Sequence, residues 1–406
     1  MRILAFPYTH TLSHLSRVLA VALELRRMGH EVVFAGESAK VSFVSQQGFD
    51  VVPIHEPDPE MLFGNIRSGK LRFVEDAELL QMLTADIEVI RSLKPDLVLS
   101  DGRFSAPLST HLTNVRHAAI VNASSTEYRA LPYVPFFDWM PPWLISRDAM
   151  IWKALVRLNL FLEMKLFDNV MKVFKRLSRE LNTNRTVTAT NCLTGKDITL
   201  LADIPEYFPS RNLPASYHYV GPLTWKSVLA PPAWWPLDIP SSPLVYVTMG
   251  TTGVSEFFSK LGPSLSTSFF SSIVTTGGQS SELKPMPGKV YVESYLDGDL
   301  VMERSDVVIC HGGNGTIYQA LSHGKPVIGI PTIPDQKFNM RRVEAMGFGK
   351  SLDLKQFLEK PSLLADTVKQ VLSDHSFRNS AQKIQAVLKS YNAATTSAKI
   401  LIDSIL

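Results

Sequence analysis

Short apolar runs alternate with longer helical patterns through the first half of the chain. The runs Ile3–Phe6, Val32–Ala35 and Leu97–Leu99 predict buried strands. The segment His14–Met28 predicts an amphipathic helix that ends at Gly29. Strands that alternate with helices are typical of a parallel sheet with right-handed crossovers, so we predict a doubly wound α/β domain here.

The same alternation starts again in the second half. Leu244–Gly250 predicts a strand that ends in a glycine turn, and Val307–Cys310 predicts another strand. The polar turn His311–Thr316 follows, then a helix, then the strand Val327–Ile330. Glycines let backbone amides approach a bound group, and the new helix directs its positive dipole end toward it. This βαβ unit therefore predicts a site for a diphosphate.

A proline-rich segment without periodicity separates the two halves, and we interpret it as a linker. We expect the ligands to bind in a cleft that the two halves face. The predicted organisation is an N-terminal doubly wound domain, a linker, a C-terminal doubly wound domain that carries the diphosphate site, and a final helix that packs back on the first domain, at residues 1–213, 214–243, 244–380 and 381–406.

Composition narrows the class of protein. The 406 residues are 45% hydrophobic and 19% charged, which is ordinary for a globular protein. A net charge of +3 argues against a nucleic-acid partner. Cys192 and Cys310 lie far apart in the sequence and fit a reducing compartment. We find no secretory signal and no membrane-spanning segment, and we expect a cytoplasmic protein.

The second half carries a motif set that points to one family. It contains His311–Gly313, then Gly324–Pro326, then Asp335–Gln336 followed by Asn339. This order resembles the donor signature of family 1 glycosyltransferases of the GT-B fold, which has two Rossmann-like domains. The resemblance implies an inverting enzyme that moves a hexose from a nucleotide diphosphate sugar to a hydroxyl of a small lipophilic or aromatic acceptor. The absence of G-x-G-x-x-G after the first strand argues against a dinucleotide dehydrogenase.

The resemblance also implies roles for individual residues. His311 contacts the diphosphate, and the pair Asp335–Gln336 binds sugar hydroxyls, unless that pair only begins a helix. Gln319 takes the place of a Glu that holds the ribose in plant members, and Tyr295 takes that of a Trp that stacks on uracil. We expect UDP, with dTDP as the alternative. The full predicted donor-binding set is Gly250, Thr251, Tyr295, His311, Gly312, Gly313, Asn314, Gly315, Thr316, Gln319, Asp335 and Gln336.

Asp297–Asp299 forms a D-x-D, which binds a divalent metal in the other large glycosyltransferase fold. A lone D-x-D is a weak signal, and Asp299 precedes the short helical stretch Leu300–Arg304. We therefore interpret Asp299 as the N-cap of that helix. We expect no essential metal and no cofactor beyond the donor, because the helix dipole and His311 serve the diphosphate.

The predicted general base lies in the first half. The family places a His at the start of the first helix, which is His14 here, and His10 is the weaker candidate. Plant members supply a carboxylate partner where this chain has Ala106. Asp101 is the nearest substitute, unless it only caps a turn.

Residues 149–177 read as a long helix that is apolar nearly all round but carries several Lys and Arg residues. This pattern fits a helix buried between domains, the wall of an acceptor cleft, or a helix resting on an anionic membrane. Three alternative functions stay open: a membrane-surface glycosyltransferase with a lipid acceptor, a nucleotide-sugar 2-epimerase, and an inactive binding module. We expect the acceptor to contact residues 56–73 and 124–147.

Overall fold

The computed structural model describes residues 1–140, 144–146, 148–224, 229–236, 243–250, 255–278 and 283–404. The chain divides into two compact units. Unit 1 contains Met1–Leu223 and Asn392–Leu406, and unit 2 contains Thr224–Tyr391.

Unit 1 is built on one parallel sheet with helices packed against it. In the described residues the strand order is β3-β2-β1-β4-β5-β6-β7, and every pairing is parallel. Its strands are β1 Arg2–Pro7, β2 Glu31–Ala35, β3 Asp50–Val52, β4 Leu97–Asp101, β5 Arg116–Val121, β6 Ile198–Leu201 and β7 Tyr217–Tyr219. Its helices are α1 Leu12–Arg27, α2 Ser42–Ser45, α3 Pro59–Arg67, α4 Asp76–Leu93, α5 Ala106–Leu112, α6 Met150–Val170 and α7 Val173–Glu180.

Unit 2 repeats the plan with a second parallel sheet. Its strand order in the described residues is β10-β9-β8-β11-β12-β13. The strands are β8 Leu244–Thr248, β9 Ser271–Thr275, β10 Val290–Glu293, β11 Val307–Cys310, β12 Val327–Gly329 and β13 Gly349–Ser351. The helices are α8 Ser255–Ser266, α9 Gly298–Arg304, α10 Asn314–Ser322, α11 Pro334–Ala345, α12 Leu354–Glu359, α13 Leu363–Ser373 and α14 His375–Leu388.

The last helix, α15 Ala393–Asp403, belongs to unit 1 and packs on α1. Thr395 Oγ1 donates a hydrogen bond to the Glu24 carboxylate at 2.9 Å. Leu401 and Ala398 are fully buried, so this helix covers apolar surface of unit 1.

Each sheet buries its own apolar core. In unit 1, Leu4 and Phe6 of β1 pack with Val98 of β4 and Ile90 of α4. Strands buried on both faces read as continuous apolar runs, which is why their positions were visible in the sequence. The prediction of two doubly wound parallel α/β units is confirmed. The strands β6, β7 and β13, of four, three and three residues, were not predicted.

The long helix predicted over 149–177 differs from expectation in two ways. It is two helices, because α6 ends at Val170 and α7 starts at Val173. Of the α6 side chains, only Asn159 and Leu160 are buried. The interpretation of a buried helix is therefore wrong for α6.

Candidate active site

The predicted diphosphate turn lies between β11 and α10. His311 follows the last residue of β11, Gly312 has a φ of +85°, and Gly313 is the N-cap residue of α10. A side chain at Gly312 would be strained at this φ. The Asn339 side-chain amide donates to the Gly312 carbonyl oxygen at 3.0 Å, which ties the turn to α11.

Two glycines make room for the His311 ring. β8 and β11 are neighbouring parallel strands, so Gly250, just beyond β8, lies beside the turn. A Cβ atom on Gly250 would lie 2.6 Å from His311 Cε1, and one on Gly313 would lie 2.4 Å from its Nε2. Both distances are shorter than any real Cβ contact. The imidazole therefore lies directly against two stretches of bare backbone.

The His311 ring is uncharged near neutral pH. The residue is only 7% exposed, and its Nδ1 atom has no hydrogen-bond partner among the residues that the structure describes. Burial lowers the pKa of His311 to about 4. The turn thus combines a neutral ring with the start of α10, whose first N–H groups have no partners within the helix.

Tyr295 contacts the turn after β9, and this turn lies beside the His311 turn and Gly250. We call this region the His311 corner. The Tyr295 hydroxyl donates to the Gly277 carbonyl oxygen at 3.0 Å, and its side chain is 42% exposed. A Cβ on Gly277 would lie 2.5 Å from the Gly250 carbonyl oxygen, so the two turns touch. The structure therefore brings Gly250, Tyr295 and the His311 turn together.

Gln319 has an acidic neighbour that the sequence analysis missed. Its Nε2 atom donates to Asp299 Oδ1 at 3.1 Å, and His323 Nε2 lies 3.0 Å from the same oxygen. Asp299 therefore supplies a carboxylate directly beside Gln319. The signal in the sequence was the D-x-D itself, which we had interpreted as a cap.

The N-cap of α9 is Asp297, and the prediction that Asp299 caps this helix is wrong. The Asp297 carboxylate accepts from the backbone N–H of Asp299 at 3.0 Å and of Leu300 at 3.5 Å. The helix begins earlier than predicted, at Gly298, which moves the cap to the first Asp of the motif. In the described ranges, no group of three His, Cys, Asp or Glu side chains could hold a metal ion.

The pair Asp335–Gln336 begins α11. The buried Gln336 accepts at Oε1 from the Thr332 N–H at 2.8 Å and from its hydroxyl at 3.0 Å. Asp335 Oδ2 accepts from the Asn339 side-chain amide at 3.4 Å. The Gln336 oxygen thus closes the turn before α11, while Asp335 is half-buried. Of the remaining predicted donor residues, Asn314 is buried, Thr316 is half-buried, Gly315 is exposed, and Thr251 lies outside the described residues.

In unit 1, His14 and Asp101 form the predicted pair. Nδ1 of His14 lies 2.6 Å from Asp101 Oδ1. A carboxylate accepts hydrogen bonds, so this contact assigns the proton to Nδ1 and leaves Nε2 with a free lone pair. The His14 side chain is 30% exposed, whereas Asp101 is buried. Ala106 is buried in α5, and Asp101 at the end of β4 is the carboxylate that reaches His14.

Arg17 completes this group and was missed. Its Nε donates to Asp101 Oδ2 at 2.7 Å and its Nη2 to Oδ1 at 2.6 Å, a bidentate ion pair. Its Nη1 donates to the Asn122 side-chain oxygen, and its Nη2 lies 3.1 Å from His14 Nδ1. Arg17 is one helical turn from His14, so the spacing in the sequence would have revealed it.

The loop that carries the other candidate base is tied down by Glu56. The Glu56 carboxylate accepts from the Thr9 N–H at 2.5 Å, from the Thr9 hydroxyl, and from the Glu37 N–H at 3.0 Å. His10 lies in this loop, and in the described part of the chain its ring has no carboxylate partner. The geometry therefore favours His14 over His10 as the base.

Comparison with known proteins identifies the family. Residues 268–403 match the family described as erythromycin biosynthesis protein CIII-like, C-terminal domain. Over 385 residues the chain is 33% identical to a PGL/p-HBAD biosynthesis rhamnosyltransferase of Mycobacterium bovis (strain BCG / Pasteur 1173P2), with 94% of this chain and 83% of the relative covered.

Solved structures show the same fold. Spinosyn rhamnosyltransferase SpnG complexed with thymidine diphosphate superposes with a TM-score of 0.71 at 17% identity, covering 99% of this chain and 100% of SpnG. Glycosyltransferase VinC in complex with dTDP gives 0.69 at 19% identity, covering 100% and 99%. The resemblance drawn from the motifs is confirmed. The chain therefore belongs to the family 1 glycosyltransferases of the GT-B fold and is a glycosyltransferase.

Proposed function

We propose that this enzyme is an inverting, metal-independent hexosyltransferase that moves a sugar from a pyrimidine nucleotide diphosphate to a hydroxyl of a small lipophilic or aromatic acceptor. The observation that carries the proposal is the His14–Asp101 pair, 2.6 Å long, with Arg17 on the same carboxylate. An imidazole that is 30% exposed and held by a buried carboxylate is an arrangement that suits general-base catalysis.

In this mechanism, Nε2 of His14 takes the proton of the acceptor hydroxyl while the oxygen attacks the anomeric carbon. The Asp101 carboxylate holds the ring in the tautomer that has its lone pair on Nε2 and stabilises the imidazolium that forms. Attack opposite to the leaving nucleotide inverts the anomeric configuration. The C–O bond to the diphosphate breaks as the new glycosidic bond forms.

The leaving diphosphate gains charge, and the His311 corner suits that charge. The start of α10 offers backbone N–H groups and a positive dipole end, and these donors do not need to reorganise during the reaction. His311 adds a neutral ring nitrogen. We place Tyr295 beside the nucleobase of the donor, and Gln319 with Asp299 beside its ribose. Asp335 is proposed as the ligand of the sugar hydroxyls.

The identity of the donor nucleotide has two candidates. SpnG and VinC were solved with dTDP, so we propose dTDP-sugars as donors alongside the UDP-sugars expected from the sequence.

The cysteines bear on the compartment. Cys192 and Cys310 are both free and buried, which suits a reducing cytoplasm.

The base assignment is tested with His14→Ala, and His10→Ala serves as the matched control from the neighbouring loop. We expect His14→Ala to lower kcat about 10³-fold while nucleotide affinity stays unchanged. Thermal-shift titrations with UDP, dTDP and their hexose and rhamnose conjugates measure affinity. NMR of the product anomer tests inversion. Full activity of His14→Ala, or a retained anomeric configuration, would refute the mechanism.

A second candidate is transfer to a lipid acceptor at a membrane surface. The observation that favours it is the exposed apolar side of α6, where Ile151 and Phe161 are 61% and 56% exposed. No helix in the described ranges is long and apolar enough to cross a bilayer. Product formation with an acceptor offered in vesicles, compared with the same acceptor group on a short soluble chain, separates the two candidates.

A further inference from the structure

One side of α6 presents large apolar side chains to solvent. Ile151, Leu158 and Leu162 recur on one side of the helix, with Phe161 beside them. These four side chains, which we call the outer face of α6, are between 46% and 61% exposed. Exposed apolar patches of this kind mark interaction surfaces, because isolated exposed side chains are common but contiguous ones are not.

The opposite side of α6 is anchored by polar contacts that hold the helix in this orientation. Asn159 is buried, accepts from the Phe136 N–H at 2.8 Å and donates to the Val134 carbonyl oxygen at 2.9 Å. Glu163 pairs with Arg129. The helix therefore directs Asn159 and Glu163 toward the rest of unit 1 and leaves its outer face in solvent.

The exposed charged side chains of α6 are all positive. Lys153, Arg157 and Lys165 are exposed. Both acidic residues of the helix are half-buried and used by unit 1: Glu163 by Arg129, and Asp168 by the Thr190 N–H at 3.1 Å. The Lys165 ammonium lies 5.2 Å from the centre of the Phe161 ring, so cationic and apolar groups share one surface.

We propose that the outer face of α6 docks this protein reversibly on an anionic lipid surface. A helix with apolar side chains and cations on one side lies in the interface between headgroups and acyl chains, where the cations meet acidic headgroups. A second copy of this chain is a poorer occupant. A two-fold interface through this face would bring two sets of three cations into one contact, and both acidic residues of the helix are already paired within unit 1.

The inference deepens the second candidate function, for which it names the membrane-contacting surface, and it does not depend on the general base or on the His311 turn. The test is co-sedimentation of the full chain with vesicles of phosphatidylcholine alone or with about one-third phosphatidylglycerol. We expect wild type to pellet with the anionic vesicles, to stay in solution with the neutral ones, and to be released by about 0.5 M salt. Wild type that stays in solution with anionic vesicles would overturn the proposal.

Two variants locate the contact. We expect Leu158→Glu/Leu162→Glu to lower vesicle partitioning at least about tenfold, because it removes apolar area and adds negative charge. We expect Lys153→Gln/Arg157→Gln/Lys165→Gln, which keeps the apolar face, to abolish the preference for phosphatidylglycerol.

The matched controls are Leu80→Glu, an exposed leucine on α4, and Lys355→Gln, an exposed lysine on α12; both should bind like wild type. Either α6 variant binding like wild type would overturn the proposal. So would a wild-type dimer in gel filtration that Leu158→Glu/Leu162→Glu dissociates. Thermal shifts with dTDP and UDP, run on every variant, should be unchanged. A failed donor site would therefore be visible separately from a failed docking surface.

Discussion

The candidate donor site in unit 2 and the candidate base in unit 1 are built from different kinds of chemical group. The corner in unit 2 is mostly backbone: two glycines lie against a neutral, buried His311 at the start of α10. The group in unit 1 is made of side chains: His14 and Arg17 both contact the Asp101 carboxylate. Fixed backbone amides suit an anion that must be held, whereas a coupled charge group suits a proton that must move. Substitutions should therefore affect the two regions in different ways.

The largest effect is expected from Asp101→Asn. An Asn amide can donate to Nδ1, which favours the tautomer with its proton on Nε2, so the ring can no longer act as a base. We expect kcat to fall about 10³-fold with little change in nucleotide affinity. The measurement is steady-state transfer at saturating donor.

The stability of Asp101→Asn tests a second role of Asp101, as the counter-ion of Arg17. Asp101→Asn leaves Arg17, whose side chain is only 12% exposed, without its counter-ion, which should lower the free energy of unfolding by about 3 kcal/mol. Adding Arg17→Met should restore most of that stability, measured by urea unfolding, without restoring kcat. Recovery of kcat in the double variant would show that Asp101 serves only to neutralise Arg17.

The next largest effect tests the backbone corner. Gly313→Ala places a Cβ 2.4 Å from His311 Nε2, so the ring or the turn must move. We expect the affinity for dTDP or UDP to fall about ten- to hundredfold, the range that overpacking produces. Isothermal titration calorimetry measures it.

The same turn offers a matched control. A Cβ on Gly315 would meet no protein atom within 4 Å, so Gly315→Ala leaves His311 in place and should lower nucleotide affinity less than Gly313→Ala does. Equal losses in both variants would mean that the turn is sensitive to any side chain, and that the contact with His311 is not the cause.

The sequence predicted the backbone corner better than the charge group. The residues of the turn at His311 are consecutive in the sequence, and its glycines indicate that a ligand can approach the backbone closely. The position of the turn therefore followed from the local sequence pattern. The Asp101 carboxylate was found only as the nearest substitute, because its distance to His14 depends on the pairing of β1 with β4. Asp299 was misassigned because its contact with Gln319 arises from packing of α9 on α10, which no local pattern encodes.

A smaller effect concerns acid stability. Burial lowers the pKa of His311 from its ordinary value of 6.5 to about 4. Between these values the unfolded chain binds more protons than the folded one, so this contribution is complete above pH 6.5 and is lost as pH falls toward 4. His311→Gln should remove about 2 kcal/mol of the stability difference between pH 7 and pH 5. Urea unfolding at both pH values tests it. Identical pH slopes for the variant and wild type would contradict a buried neutral ring.

The smallest expected effect is the most specific to the charge group. The Arg17 guanidinium donates to both oxygens of the Asp101 carboxylate, at 2.7 and 2.6 Å, and Asp101 Oδ1 lies 2.6 Å from His14 Nδ1. Arg17→Gln removes this bidentate ion pair, so Asp101 should hold the His14 ring less firmly. We expect kcat to fall about tenfold while nucleotide affinity stays unchanged, measured by steady-state transfer.

Arg17→Lys separates the charge of Arg17 from its bidentate geometry. It keeps the charge but loses the bidentate fork, so it should lower kcat nearly as much as Arg17→Gln does. If Arg17→Lys kept the kcat of wild type, the charge of Arg17 alone would matter, and its bidentate geometry would contribute nothing to the position of Asp101.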